Sequence, residues 1–111
     1  MEGFAAQYGL RNATLLDAST WAAIYVNECG LYQKAANMHE RIWDRRKALL
    51  GEEHPDTLTS MTNLAITYSD QGRWKEAEKL EITVMETRKV GLGEKHPKTL
   101  HSMTLLALTY W

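Results

Sequence analysis

The sequence predicts an all-α fold in which helical hairpins repeat along the chain as a solenoid. A shift of 42 residues aligns the segment 50–68 with 92–110, and 14 of these 19 positions are identical. Within each copy, apolar residues recur at three- and four-residue spacing, which is typical of one helical face, and no alternating β pattern occurs. We therefore expect about 2.5 repeats and five helices.

The clearest repeat unit predicts two helices joined by a glycine turn. The first helix stops at Gly72, and the second continues to Gly91 and Gly93, because glycine adopts the positive φ that closes a helix. Pro55 and Pro97 suit the first turn of the helices that follow, since an amide hydrogen is unpaired there in any case. The five helices are expected near residues 14–29, 31–50, 55–71, 73–91 and 97–111.

A fainter copy of the unit precedes the two clear ones. Gly9 aligns with Gly51, and Gly30 with Gly72, at the same 42-residue shift, so the array begins before residue 12. At 111 residues the chain is long enough for one domain with one core. We expect this domain to comprise a remnant or cap at 1–11, a first repeat at 12–53, a second at 54–95 and half a repeat at 96–111.

Residue size predicts where the helices pack. The alanines Ala65 and Ala77 would let the two helices of the second hairpin approach closely, while larger side chains fill the gaps between hairpins. Trp43 and Trp74 fall on helical faces, and we expect both in the core.

One set of residues in the second unit matches a known repeat signature: Leu64, Ala65, Tyr68, Gly72, Trp74 and Ala77. This pattern resembles the tetratricopeptide repeat. The 42-residue period, with its Gly-Glu-Glu-His-Pro-Asp-Thr-Leu segment, is similar to the kinesin light chain-like subgroup. Similar units occur in tandem in fungal proteins that carry a nucleotide-binding signalling ATPase upstream, and this chain resembles a piece of such an array.

Composition favours a protein partner. The chain has 13 basic and 14 acidic residues and a net charge of -1, so no long-range field attracts nucleic acid or a membrane surface. No apolar run approaches the roughly 20 residues that span a bilayer. The single cysteine, Cys29, cannot form an internal disulfide, which fits a reducing, cytoplasmic location.

The candidates for catalysis or metal binding are each better explained by structure. His54 and His96 occupy the same repeat position before a proline, and no helix carries the ligand pattern of a zinc site. Cys29 has no neighbouring histidine. The segment 91–93 follows a helix and lacks the lysine and hydroxyl of a phosphate loop. We therefore expect no enzyme activity, cofactor or metal.

Two basic runs raise the question of nucleic-acid binding. The segments 45–47 and 88–89 both fall in the last turns of second helices, where the helix dipole favours cations. Acidic residues flank them. We expect these side chains to be solvated helix ends.

The resemblance implies that the first helices of the repeats line a concave groove that binds an extended peptide. Amides, hydroxyls and aliphatic groups suit such a ligand, because an amide can pair with both a backbone donor and a backbone acceptor. The groove residues implied are Thr20, Trp21, Ile24, Asn27, Thr62, Asn63, Ile66, Asp70, Thr104 and Leu108.

Asn63 resembles the groove asparagines with which kinesin light chains hold cargo peptides. The chaperone-tail clamp of other tetratricopeptide proteins needs lysines, an arginine and asparagines, and the corresponding positions here are Thr20, Ile24, His101 and Leu105. Binding of a carboxylate tail by that clamp is therefore not expected.

Self-assembly is the alternative function. In the 42-residue register, residues 97–111 form a first helix without its partner, which would leave four apolar residues exposed together. Two chains could stack these ends as a closed dimer, or residues 1–10 of one chain could dock on the next and form open filaments. We favour the homodimer. The self-association residues are Met103, Leu106, Tyr110 and Trp111.

Overall fold

The structure, a computed structural model, describes residues 16–110 and shows five helices with no β-strand in that range. The helices are α1 over 16–28, α2 Tyr32–Leu50, α3 Pro55–Asp70, α4 Trp74–Leu92 and α5 Pro97–Tyr110. Each of α2, α3 and α4 begins and ends within one residue of the prediction. The predicted all-α hairpin fold is confirmed, while the predicted remnant at 1–11 lies outside the described residues.

Each helix from α2 to α5 packs against its neighbour along the chain, as expected for a solenoid whose stability comes from stacking. The central cluster of the core joins Ala36 of α2, Leu64 and Ala65 of α3 and Ala77 of α4, all with almost no exposed surface. Ala65 and Ala77, which were predicted to pack together, thus lie in one buried cluster. The partly buried Trp43 packs against this cluster.

The side chain of Trp74 contradicts the prediction that it belongs to the core. It is 55% exposed, because Trp74 is the first residue of α4 and its indole lies beside the cavity between α3 and α5. Helical periodicity identifies the face of a helix, but it does not show whether another element covers the first turn.

The two histidines before the prolines have a structural role. His54 Nδ1 accepts a hydrogen bond from the Asp56 amide at 3.0 Å, and His96 Nδ1 accepts one from the Lys98 amide at 3.1 Å. Each ring thus satisfies an amide in the first turn of its helix that has no partner within the helix. The repeated His-Pro pair is a helix start.

Glycines with positive φ end the helices, and Gly72, at φ 79°, illustrates the reason. Nothing lies within 4 Å of the position that a Cβ would occupy, so a substitution would meet backbone strain without any steric clash. We expect Gly72→Ala to lower the free energy of unfolding by about 1–2 kcal/mol.

The matched control for this prediction is Gly91→Ala. Gly91 also has open space around it but lies inside α4, where alanine is preferred by about 1 kcal/mol. Chemical denaturation should show the two variants shifting stability in opposite directions. A loss of stability in both would contradict the assignment of Gly72 as the helix terminator.

Candidate functional site

The predicted groove residues of α1 and α3 meet at a cavity of about 320 Å³. Thr20, Trp21, Ile24 and Asn63, four of the residues predicted for the groove, line it together. The other lining residues, which sequence reasoning missed, are Asp17, Arg46, Asp56 and Thr59.

A second cavity, of about 170 Å³, lies between α3 and α5 at the start of α4. The predicted residues Ile66, Asp70 and Leu108 line it together. Residues that were not predicted for the groove complete its walls, namely Ser69, Trp74, Glu81, Leu105 and Thr109. Helices α1, α3 and α5 thus present two cavities, one between α1 and α3 and one between α3 and α5.

Asn27 and Asp70, both predicted as ligand contacts, are paired with each other. Asn27 Nδ2 donates to Asp70 Oδ2 at 2.8 Å and so connects the end of α1 to the end of α3. This bond fixes the Asp70 carboxylate beside the second cavity. Asn27 Nδ2 is therefore used within the protein, whereas Asn27 Oδ1 is buried without a hydrogen-bond partner among the described residues.

Three of the predicted groove residues, Thr20, Thr62 and Thr104, occupy one repeat position and behave alike. Each hydroxyl donates to the carbonyl oxygen four residues earlier in its own helix, at 2.8, 3.1 and 2.9 Å respectively. Thr20 and Thr62 are also buried, and neither Thr62 nor Thr104 lines the two cavities. Because their protons are already used, these threonines can accept a hydrogen bond from a ligand but have no free proton to donate.

The basic runs were predicted to be solvated, and for Arg46 and Arg88 that prediction is wrong. Both guanidinium groups are buried, with only 4% and 7% of each residue exposed. Arg46 Nη1 donates to Ser60 Oγ at 2.8 Å, and Arg88 Nη1 donates to Ser102 Oγ at the same distance. The arginine-serine pair recurs at the 42-residue period, which is the signal that could have revealed it.

The two buried arginines differ in their charge compensation. Arg46 Nη2 lies 3.0 Å from Asp17 Oδ1. At the position equivalent to Asp17, the next repeat has Thr59, and no ion pair of Arg88 occurs among the residues the structure describes. Burial without a counter-charge lowers the pKa of Arg88.

Glu81 is the buried acid of the second cavity. The residue is 4% exposed, and its Oε2 accepts a hydrogen bond from Thr109 Oγ1 at 2.7 Å. Burial is the main cause that raises its pKa, and the nearby charge of Glu78 raises it further, while the Thr109 bond opposes both. The repeat equivalent of Glu81 is His39, so the 42-residue pattern gave no hint of this acid.

The predicted self-association residues lie on α5. Met103 and Leu106 are partly buried, although their repeat equivalents Met61 and Leu64 in α3 are almost completely buried. Leu100 follows the same trend, since it is about half exposed whereas its repeat equivalent, Leu58, is buried. The side chain of Tyr110 and the whole of Trp111 lie outside the described residues.

Within residues 16–110, no group of three or more His, Cys, Asp or Glu side chains is arranged to hold a metal ion. The same part of the chain has no helix with the length and apolarity to cross a membrane.

Comparison with known proteins agrees with this geometry. Two solved structures of a Podospora anserina protein, described as a kinesin light chain with nearly identical tetratricopeptide-like repeats, superpose with TM-scores of 0.80 and 0.79. Each is 29% identical and covers 86% of this chain, which spans only 45% of theirs. No curated protein sequence matches. The tetratricopeptide repeat profile matches residues 13–89, well over half of the sequence, and the chain therefore belongs to the tetratricopeptide repeat family.

Proposed function

We propose that the chain is a protein-protein interaction module that binds an extended peptide segment of its partner in the groove of α1, α3 and α5. The observation that carries this proposal is the position of the exposed apolar side chains. Trp21 is 72% exposed at the first cavity, and Leu108 is 65% exposed at the second. Single exposed apolar residues are ordinary, but these two have Ile24 and Ile66 beside them in the same cavity walls.

Asn63 supplies polar recognition in this proposal. It lines the first cavity next to Trp21 and is only partly buried, and its side chain has no hydrogen bond to the described part of the chain. An unpaired amide offers a donor and an acceptor to the backbone of an extended ligand. The side chain of Trp21 would then anchor an apolar residue of the same segment.

The test begins with a peptide selected on the 111-residue chain from a random phage-display library. We expect Trp21→Ala to weaken the affinity of that peptide about tenfold or more, because exposed aromatic anchors carry much of the energy of such interfaces. Asn63→Ala should weaken it as well. Isothermal titration calorimetry measures both effects.

Two variants serve as controls for surface apolarity. Leu49→Ala on α2 and Val90→Ala on α4 each truncate an exposed aliphatic residue outside the two cavities. We expect their affinities to stay near that of the wild type. The groove proposal would be wrong if these changes weakened binding and Trp21→Ala did not.

A second candidate function, self-association, is favoured by the exposure of α5. Three apolar residues of α5 occupy repeat positions that are buried in α3, namely Leu100, Met103 and Leu106. A second copy of the chain could cover them. Each such side chain gains roughly 1.5–3 kcal/mol when it becomes fully buried. We infer a closed homodimer in which the two α5 helices meet.

Light scattering of the 111-residue chain tests this inference across a concentration series. We expect a dimer mass at about 100 μM that falls towards the monomer mass on dilution. Leu106→Glu should shift the equilibrium to monomer while circular dichroism keeps its helical signal. A monomer mass at the highest concentration refutes the dimer.

A further inference from the structure

The cavity between α3 and α5 combines apolar walls with two acidic side chains. Its walls are mostly apolar and come from Ile66, Trp74, Leu105 and Leu108. Its volume of about 170 Å³ is below the roughly 300–1,000 Å³ of small-molecule sites, so it suits a single side chain of a larger partner.

The charged groups of this cavity are all acidic. Asp70 and Glu81 line it, whereas the described residues contribute no lysine or arginine to its walls. Asn27 holds the Asp70 carboxylate in place at 2.8 Å. Glu81 is almost completely buried, and its Oε2 accepts a hydrogen bond from Thr109. A buried carboxylate without a counter-charge is costly, and a cation that enters the cavity would relieve that cost.

The single hydroxyl proton of Thr109 explains why Glu81 is poorly satisfied. Thr109 Oγ1 lies 2.7 Å from Glu81 Oε2 and 3.0 Å from the main-chain oxygen of Leu105. One proton cannot serve both acceptors fully. The carboxylate therefore retains capacity to accept hydrogen bonds from a ligand.

We propose that this cavity binds an arginine or lysine side chain of the peptide segment that occupies the groove. Leu105 and Leu108 would contact the aliphatic stem, Trp74 would provide an aromatic face for the cation, and the two carboxylates would accept its hydrogen bonds. The inference rests on the proposed groove function. It adds that the bound peptide has a basic residue where it crosses the cavity between α3 and α5.

The probes are two dye-labelled peptides that differ in one group. One has the sequence Leu-Ala-Arg-Ala-Leu with blocked ends, and the other has citrulline, which is nearly isosteric with arginine but uncharged, in place of the arginine. Fluorescence polarisation on the 111-residue chain should show the arginine peptide binding about tenfold more tightly. Added salt should reduce that advantage.

Glu81→Gln is the decisive variant because it should fold at least as well as the wild type. The glutamine amide can donate to Thr109 Oγ1, which leaves the Thr109 proton for Leu105, and the buried charge disappears. We expect a higher thermal midpoint together with loss of the arginine preference. Glu86→Gln removes the same charge from an exposed position of α4 and should keep the preference.

The proposal is overturned if the wild type binds both peptides equally, if it binds neither, or if Glu81→Gln retains the preference for arginine. Leu108→Ala distinguishes failure of the basic-pocket proposal from failure of the groove proposal. If the two peptides bind equally but Leu108→Ala weakens both, the groove proposal survives and only the basic pocket is wrong. If Leu108→Ala changes nothing, the groove proposal fails as well.

Discussion

Leu64→Ala is expected to lower the free energy of unfolding by about 2–5 kcal/mol, the largest loss of any substitution considered for this chain. Leu64 is 1% exposed and packs in the cluster formed by Ala36, Ala65, Tyr68 and Ala77. Those neighbours belong to three successive helices and cannot collapse into the cavity without moving the backbone. Urea denaturation followed by circular dichroism measures the loss.

Leu106→Ala provides the control in the same repeat position. Leu106 is only partly buried, so truncation removes less contact area and leaves a smaller cavity. We expect less than half the loss seen for Leu64→Ala at protein concentrations low enough to avoid self-association. Equal losses at the two positions would contradict the difference in packing between α3 and α5.

The second large effect is expected at the buried arginines. Arg46→Met should cost about 2 kcal/mol, because it removes charge-assisted bonds to Asp17 and Ser60 and the bond to the Asp56 carbonyl. Arg88→Met should cost less than Arg46→Met, because the bonds it removes, to Ser102 Oγ and to the Lys98 carbonyl, include no carboxylate.

The repeat register supplies a gain-of-stability control. Thr59 occupies the position of Asp17 one repeat later, so Thr59→Asp should place a carboxylate near Arg88 and raise the thermal midpoint. The same variant combined with Arg88→Met should lose that gain. If Thr59→Asp still raised the thermal midpoint in the absence of Arg88, the new carboxylate would be interacting with a group other than Arg88.

The architecture could be predicted from the sequence because it depends on features that repeat. The 42-residue period, the turn glycines and the prolines each specify a local conformation, and these agree along the chain. The burial of Ala65 and Ala77 in one cluster agrees with the same register. Fold prediction was thus a matter of consistent local signals.

The site was predicted only in part, and the misses have physical causes. The resemblance implied groove positions for Trp21, Ile24, Asn63 and Ile66, and the structure places these four residues in cavity walls. The sequence could not show that each groove threonine bonds to its own helix, or that Arg46 is buried, because charge and helix-end position favour solvent on average. The repeat equivalent of Glu81 is His39, which is not an acid, so only the three-dimensional contacts show that Glu81 lines the cavity.

The central claim is that the surface of α1, α3 and α5 is the binding face of the array. The most direct measurement is a map of backbone amide chemical shifts of the 111-residue chain during titration with the library-selected peptide. We predict that the largest changes occur around Trp21, Asn63, Ile66 and Leu108, with little change along the exposed faces of α2 and α4. Changes confined to α2 and α4 would contradict the claim.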